Sequence, residues 1–146
     1  MDRKKLIKLL TYLIFFILVI NFFANKFYWY SSIWYFDMIM HFLGGFWIGL
    51  AFMWFSNQSF RLSPLSPESS PESKALTFKL VFKILIFVLF IGISWEVYEI
   101  LVNDILAKNS FNFLDTLSDI FFDLFGGLCA VLYLWIPLEI KKFNIK

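Results

Sequence analysis

One histidine and six acidic residues stand at spacings from which a chemically active site could be built. Asp37 and His41 are four apart, Glu96 and Glu99 three apart, and Asp115, Asp119 and Asp123 follow in steps of four. On a helix, residues four apart differ in direction by about 40° and three apart by about 60°, so each set shares a face. Carboxylates grouped with one imidazole suit a hard or borderline divalent ion such as Mg²⁺, Mn²⁺, Zn²⁺ or Fe²⁺. The same groups can instead share protons, or serve only to fix how helices pack. His41 is the sole imidazole, so it is either the nitrogen ligand or the group that titrates near neutral pH. Asp37 is placed to orient it. Other signatures are missing: there is no Gly-rich phosphate loop, no His-Glu-x-x-His helix and no Ser in a nucleophile elbow. Cys129 lies in an apolar run, where a thiol is inert.

These residues belong to a chain that is 60% hydrophobic, 23% aromatic and only 16% charged over 146 residues, with a mean hydropathy of +0.74. Soluble domains average about 45–50% apolar and about 25% charged residues, so a soluble globular fold is excluded. A lone cysteine excludes a disulfide scaffold, and a net charge of +2 from scattered Lys and Arg excludes a nucleic-acid-binding face. An all-α integral membrane bundle of four transmembrane helices remains. The expected spans are 6–24, 38–56, 80–102 and 117–138, each near the roughly 20 residues a bilayer demands. No alternating strands offer a barrel. Four spans take about 80 residues, leaving a single domain over 1–146 with no room for a separate soluble one.

The cationic residues predict the orientation. Arg3, Lys4, Lys5, Lys8, Arg61, Lys74, Lys79, Lys83, Lys141, Lys142 and Lys146 fall on one side, against Lys26 and Lys108 on the other. By the positive-inside rule both termini are cytoplasmic. Phe22-Phe23-Ala24-Asn25-Lys26 makes a poor cleavage site, so the first span reads as an uncleaved anchor. Residues 57–74, rich in Ser and Pro, read as a flexible cytoplasmic connector. Phe27-Tyr28-Trp29-Tyr30 and Trp34-Tyr35-Phe36 read as an interfacial aromatic belt.

Depth then brings the polar residues together. His41 lies about 5 Å below the start of its span, Glu96 about 9 Å from the end of its own, and Asp123 about 9 Å below the start of the fourth. Three helices thus deliver polar groups to one level near the outer leaflet. Gly44, Gly45, Gly92, Gly126 and Gly127 sit about one turn deeper, where small residues let helices approach closely. The stretches around Gly45 and Gly127 match in pattern, Asp37-x3-His41-x2-Gly44-Gly45 against Asp119-x3-Asp123-x2-Gly126-Gly127, as a parallel repeat would. Below the glycines come Phe46, Trp47, Ile48, Leu50, Leu128 and Val131, which describe a cup open on one side.

The acidic run is similar to that of lipid head-group phosphotransferases that use CDP-alcohols, but their Asp-Gly and Ala-Arg element is absent, which excludes that class. Phe36-Asp37-x3-His41-Phe42-x2-Gly45, Trp95-Glu96-x-Tyr98-Glu99 and Asp115-Thr116-x2-Asp119-x3-Asp123-x2-Gly126 resemble the YjdF-like bacterial inner-membrane proteins. More distantly they resemble VanZ-like proteins, some of which are associated with glycopeptide-antibiotic resistance. The resemblance covers residues 37–136 and implies a multi-pass protein of the bacterial plasma membrane with a site at these positions. It implies no activity. VanZ-like proteins carry Gln, Arg or Asn where this chain has acids, so antibiotic resistance is not carried over.

The residues themselves lead to a metal-assisted enzyme or accessory factor acting on a lipid or envelope precursor. His41, Glu96, Glu99 and Asp123 are its expected catalytic residues. Asp37, His41, Glu96, Glu99, Asp119 and Asp123 are the expected ligands of a divalent metal ion, with Asp115 at the rim. A proton- or cation-coupled small transporter, or a structural membrane component without catalysis, would use the same acids. The expected partners are membrane lipid, a lipid or envelope-precursor substrate and a second copy in a homodimer, with no nucleic acid.

Overall fold

The computed structural model describes the backbone of residues 3–56, 71–102 and 112–143, and the side chains of 3–56, 78–102 and 112–135. Among these residues there are helices and no strands. The order is α1 (Arg3–Lys26), a single turn α2 (Trp29–Ser32), α3 (Phe36–Phe55), α4 (Pro71–Val102) and α5 (Phe113–Phe143). Four segments are long and apolar enough to cross a membrane: Arg3–Lys26, Phe36–Phe55, Phe78–Val102 and Phe113–Trp135. The all-α, four-span architecture is the one expected, since only a helix satisfies its own backbone in lipid. Polar side chains within the spans bond to their own helix: Thr11 donates to the Ile7 carbonyl at 2.9 Å and Ser94 to that of Phe90 at 2.7 Å.

All four spanning helices start earlier than expected, two of them by four residues or more. α4 begins at Pro71, nine residues before residue 80, so residues 71–74 of the expected connector are helical. Residues 57–70 of it lie outside the described residues. Proline suits a first helical position, because its φ is already helical and the N–H it lacks would have no partner there. α5 begins at Phe113, four residues early, which puts Asp115 in its first turn, where a carboxylate complements the helix dipole.

Contacts fix the directions. Arg3 lies 5.7 Å from the Trp54 ring centre and Trp47 Nε1 donates to the Leu10 carbonyl at 2.9 Å, so α1 runs antiparallel to α3. Val88 meets Gly127 while Gly92 meets Asp123, so α4 runs antiparallel to α5. Gly45 meets Asp123 and Gly49 meets Gly127 and Ala130, so α3 and α5 run parallel.

Among the described residues the α3–α5 contact is the most extensive, and glycine makes it possible. A Cβ on Gly45 would strike the Asp123 backbone, and one on Gly126 the Phe42 carbonyl. Gly45-x3-Gly49 therefore faces Gly126-x3-Ala130, small residues in register on both helices. In lipid, where apolar burial between helices gains little, such close van der Waals packing is the main source of association. Gly44 is a correction: no atom lies within 4 Å of where its Cβ would stand, so it packs against nothing.

Away from the acidic residues, Leu6, Leu10, Leu50, Met53, Leu80, Ile84, Val88 and Leu134 form the main buried cluster. A smaller one, Ala24, Phe36 and Met40, holds α1 to the start of α3. Phe36 and Trp29 turn inward to it, so only part of the aromatic run faces outward, as exposed Trp34 and Tyr35 do. Tyr28 makes the bend out of α1 with φ of 57°, the left-handed region, at a cost of about 1–2 kcal/mol.

Candidate functional site

The site lies where α3 begins, α4 ends and α5 begins. α3 contributes Asp37 and His41, α4 Glu96 and Glu99, and α5 Asp119 and Asp123. His41, Glu96, Asp119 and Asp123 are 7%, 5%, 3% and 5% exposed, so four ionisable groups are buried together. Asp37 and Glu99 are half-buried, and Asp115 is exposed at the rim.

The His41 ring is the hub. Its Nδ1 lies 3.3 Å from Asp123 Oδ2. Its Nε2 lies 3.7 Å from Glu96 Oε1 and 3.8 Å from Asp37 Oδ1, both beyond hydrogen-bond length. Asp123, not Asp37, is therefore the carboxylate that orients the ring. A residue four away on the same helix approaches the ring from above, whereas Asp123 reaches across the glycine contact between α3 and α5. Gly92 completes that seat, since a Cβ there would stand 2.5 Å from Asp123 Oδ2. It was expected only to pack helices, and it also leaves room for a carboxylate.

Ligand-type atoms gather in two overlapping groups. Asp37, His41 and Asp119 each offer one within 4.8 Å of the others, as do His41, Glu96 and Glu99. These acidic and imidazole groups are close enough to hold a metal ion. Thr116 is turned toward the Glu96 carboxylate, yet Glu96 Oε1 is buried without a hydrogen-bond partner. An acceptor left so is costly, and a native one calls for a partner.

Beside the cluster lies a cavity of about 560 Å³, lined at its polar end by Asp37, His41, Glu99 and Asp123. Among the polar residues lining it that spacing did not single out are Asn21 and Asn25 from α1, and Tyr30 from α2. A signal for the first two was present, because two amides four apart in an apolar span must share a face. Asn25 Nδ2 donates to the Asn21 carbonyl at 2.9 Å and to Asn21 Oδ1 at 2.5 Å. The Tyr30 hydroxyl is pushed up to about 12, first by burial and then by the charges of Asp37 and Glu99, so it stays a donor at neutral pH. Ile17, Ile48 and Ile91 make the other end apolar, while Met40 lies beside His41.

Fold and site together define a four-span helical membrane protein with a buried carboxylate–imidazole cluster at one end of its bundle. The chain belongs to the family described as Predicted membrane protein (DUF2238), whose model matches residues 2–139 and which is the family of the YjdF-like proteins. No curated protein and no solved structure matches the chain.

Proposed function

We propose that the cluster is a divalent-cation centre near the outer leaflet of a bacterial plasma membrane. There the protein serves as a metal-assisted enzyme or accessory factor acting on a lipid or envelope precursor. One observation carries this: the buried Glu96 Oε1 has no hydrogen-bond partner and faces His41 Nε2 at 3.7 Å, with Asp37 Oδ1 at 3.8 Å from the same nitrogen. An ion with ligands at about 2.0–2.2 Å keeps neighbouring ligand atoms about 3–3.6 Å apart. Ligand atoms of His41, Glu96 and Glu99 lie within 4.8 Å of one another, so a closure of about an ångström would place these three on one ion. Asp123 on Nδ1 supplies the carboxylate that orients and strengthens a ligating imidazole. Asp37 and Asp119 form a second group around the same imidazole and offer further oxygens.

In this role the ion would polarise a phosphoryl or carbonyl oxygen or activate a water. Asp37, half-buried on the cavity wall and outside the group of His41, Glu96 and Glu99, is then the carboxylate placed to act as general base. A transporter would need a polar path through the bundle. Leu6, Leu10, Leu50, Met53, Ile84 and Val88 instead fill the opposite end, which supports a one-sided cup.

The test is metal analysis of protein purified without chelators, beside His41→Ala and Glu96→Gln. Near-stoichiometric metal in the parent, lost in both variants while both remain folded, is the expected result. A metal-free parent that moves ions or protons across vesicles under an imposed gradient would establish the transporter instead.

A further inference from the structure

We propose that the cavity seats one phospholipid-type amphiphile taken in sideways from the bilayer between α1 and α4. Its phosphate head lies at the carboxylate–imidazole end, and one chain runs along Ile17, Ile48 and Ile91. The placement of the helices supports a lateral mouth. Among the described residues the backbone of α1 comes close to α2 and α3 but nowhere to that of α4 or α5, and only 11% of its span is buried, against 39% for α5. The cavity is nevertheless lined by both α1 and α4, so it occupies the gap between them.

Its polarity runs the way a lipid's does. From Ile17 through Asn21 to Asn25 the wall turns from apolar to polar over about 12 Å. On α4 it changes likewise from Ile91 to Glu99. About 560 Å³ accommodates a head group and part of one chain, within the range of about 300–1,000 Å³ for small-molecule sites. With Asn25 Nδ2 engaged on Asn21, the Asn21 amide nitrogen is left to donate into the cavity, toward a phosphate oxygen. Gly44 leaves the wall open beside His41. The head-group contact rests on the divalent-ion centre proposed above, since bare carboxylates repel phosphate. The position of the chain does not.

The test uses the full protein in phosphatidylcholine vesicles containing a phosphatidylglycerol with a diazirine on one acyl chain. After irradiation, labelled peptides and bound metal are measured on the same samples. Label is expected on the cavity-lining residues of α1 and α4. Gly44→Phe, whose Cβ meets nothing within 4 Å and whose ring would project into the cavity, should abolish it while metal is retained. Asn21→Leu, which removes one hydrogen bond to a charged group, should lower it about tenfold. Label spread over the outward faces and indifferent to both substitutions overturns the proposal, even with metal fully bound. A metal-free parent whose cavity is still labelled, equally with and without EDTA, overturns the phosphate–ion contact and the ion centre while leaving the lateral seat standing.

Discussion

Both ring nitrogens of His41 face carboxylates, and they do so unequally. Nδ1 is within hydrogen-bond reach of Asp123, whereas Nε2 looks into a gap bounded by Asp37 and Glu96. That asymmetry predicts that Asp123→Asn keeps the fold but weakens Mn²⁺ binding about 10–100-fold, the usual effect of losing an orienting partner. Calorimetric titration reads this directly, and an unchanged affinity would assign Asp123 a purely structural part. Tyr30 gives a second prediction. The folded form holds the phenolic proton up to about 12, while an unfolded tyrosine releases it near its ordinary 10.0. Stability therefore falls as pH rises through that window, and Tyr30→Phe should flatten the fall. The ultraviolet difference titration of parent minus Tyr30→Phe should centre near 12, not 10. The charged members of the site were legible in the sequence because an ionisable residue inside an apolar span is conspicuous. Asn21 and Asn25 gave a weaker signal, two uncharged amides in a run that an anchor helix explains equally well, and Tyr30 gave none within its aromatic run.

At the scale of elements, the glycine contact between α3 and α5 sets the geometry of everything above it. Gly45→Ala drives a methyl group into the Asp123 backbone and should cost about 1–3 kcal/mol, as overpacking does. It should also weaken metal binding, because Asp123 moves with its backbone. Gly44→Ala meets nothing within 4 Å and should instead gain about 0.5–1 kcal/mol from helix propensity. Unfolding midpoints in detergent, displaced in opposite directions for these neighbours, check the pair. Equal effects would mean that α3 is rotated about its axis from the position described. Sequence gives the level of a residue along a helix, since rise is fixed at about 1.5 Å per residue. It gives the facing direction of neighbours such as Gly44 and Gly45 only once a partner helix is known. That is why convergence of His41, Glu96 and Asp123 could be expected while the division of labour between the two glycines could not. The early start of α4 was hidden for a different reason, since Ser and Pro composition resembles a linker even when a proline opens a helix.

For the whole molecule, the four spans follow from composition and length, and the proposed direction of the site follows from the distribution of Lys and Arg. With Cys129 replaced, Asn109→Cys should react with an impermeant maleimide added outside intact cells. Ser66→Cys and Phe143→Cys should react only after permeabilisation. The reverse pattern would move the site to the cytoplasmic leaflet and with it any lipid it handles.

Whether imidazole and carboxylates hold one ion is read most directly by X-ray absorption at the metal edge of protein purified without chelators. One nitrogen from a single imidazole and a set of carboxylate oxygens, at about 2.0–2.2 Å, with the imidazole contribution absent in His41→Ala, is the predicted spectrum. Protein with no metal edge above background, or a metal shell unchanged by loss of His41, would contradict the account.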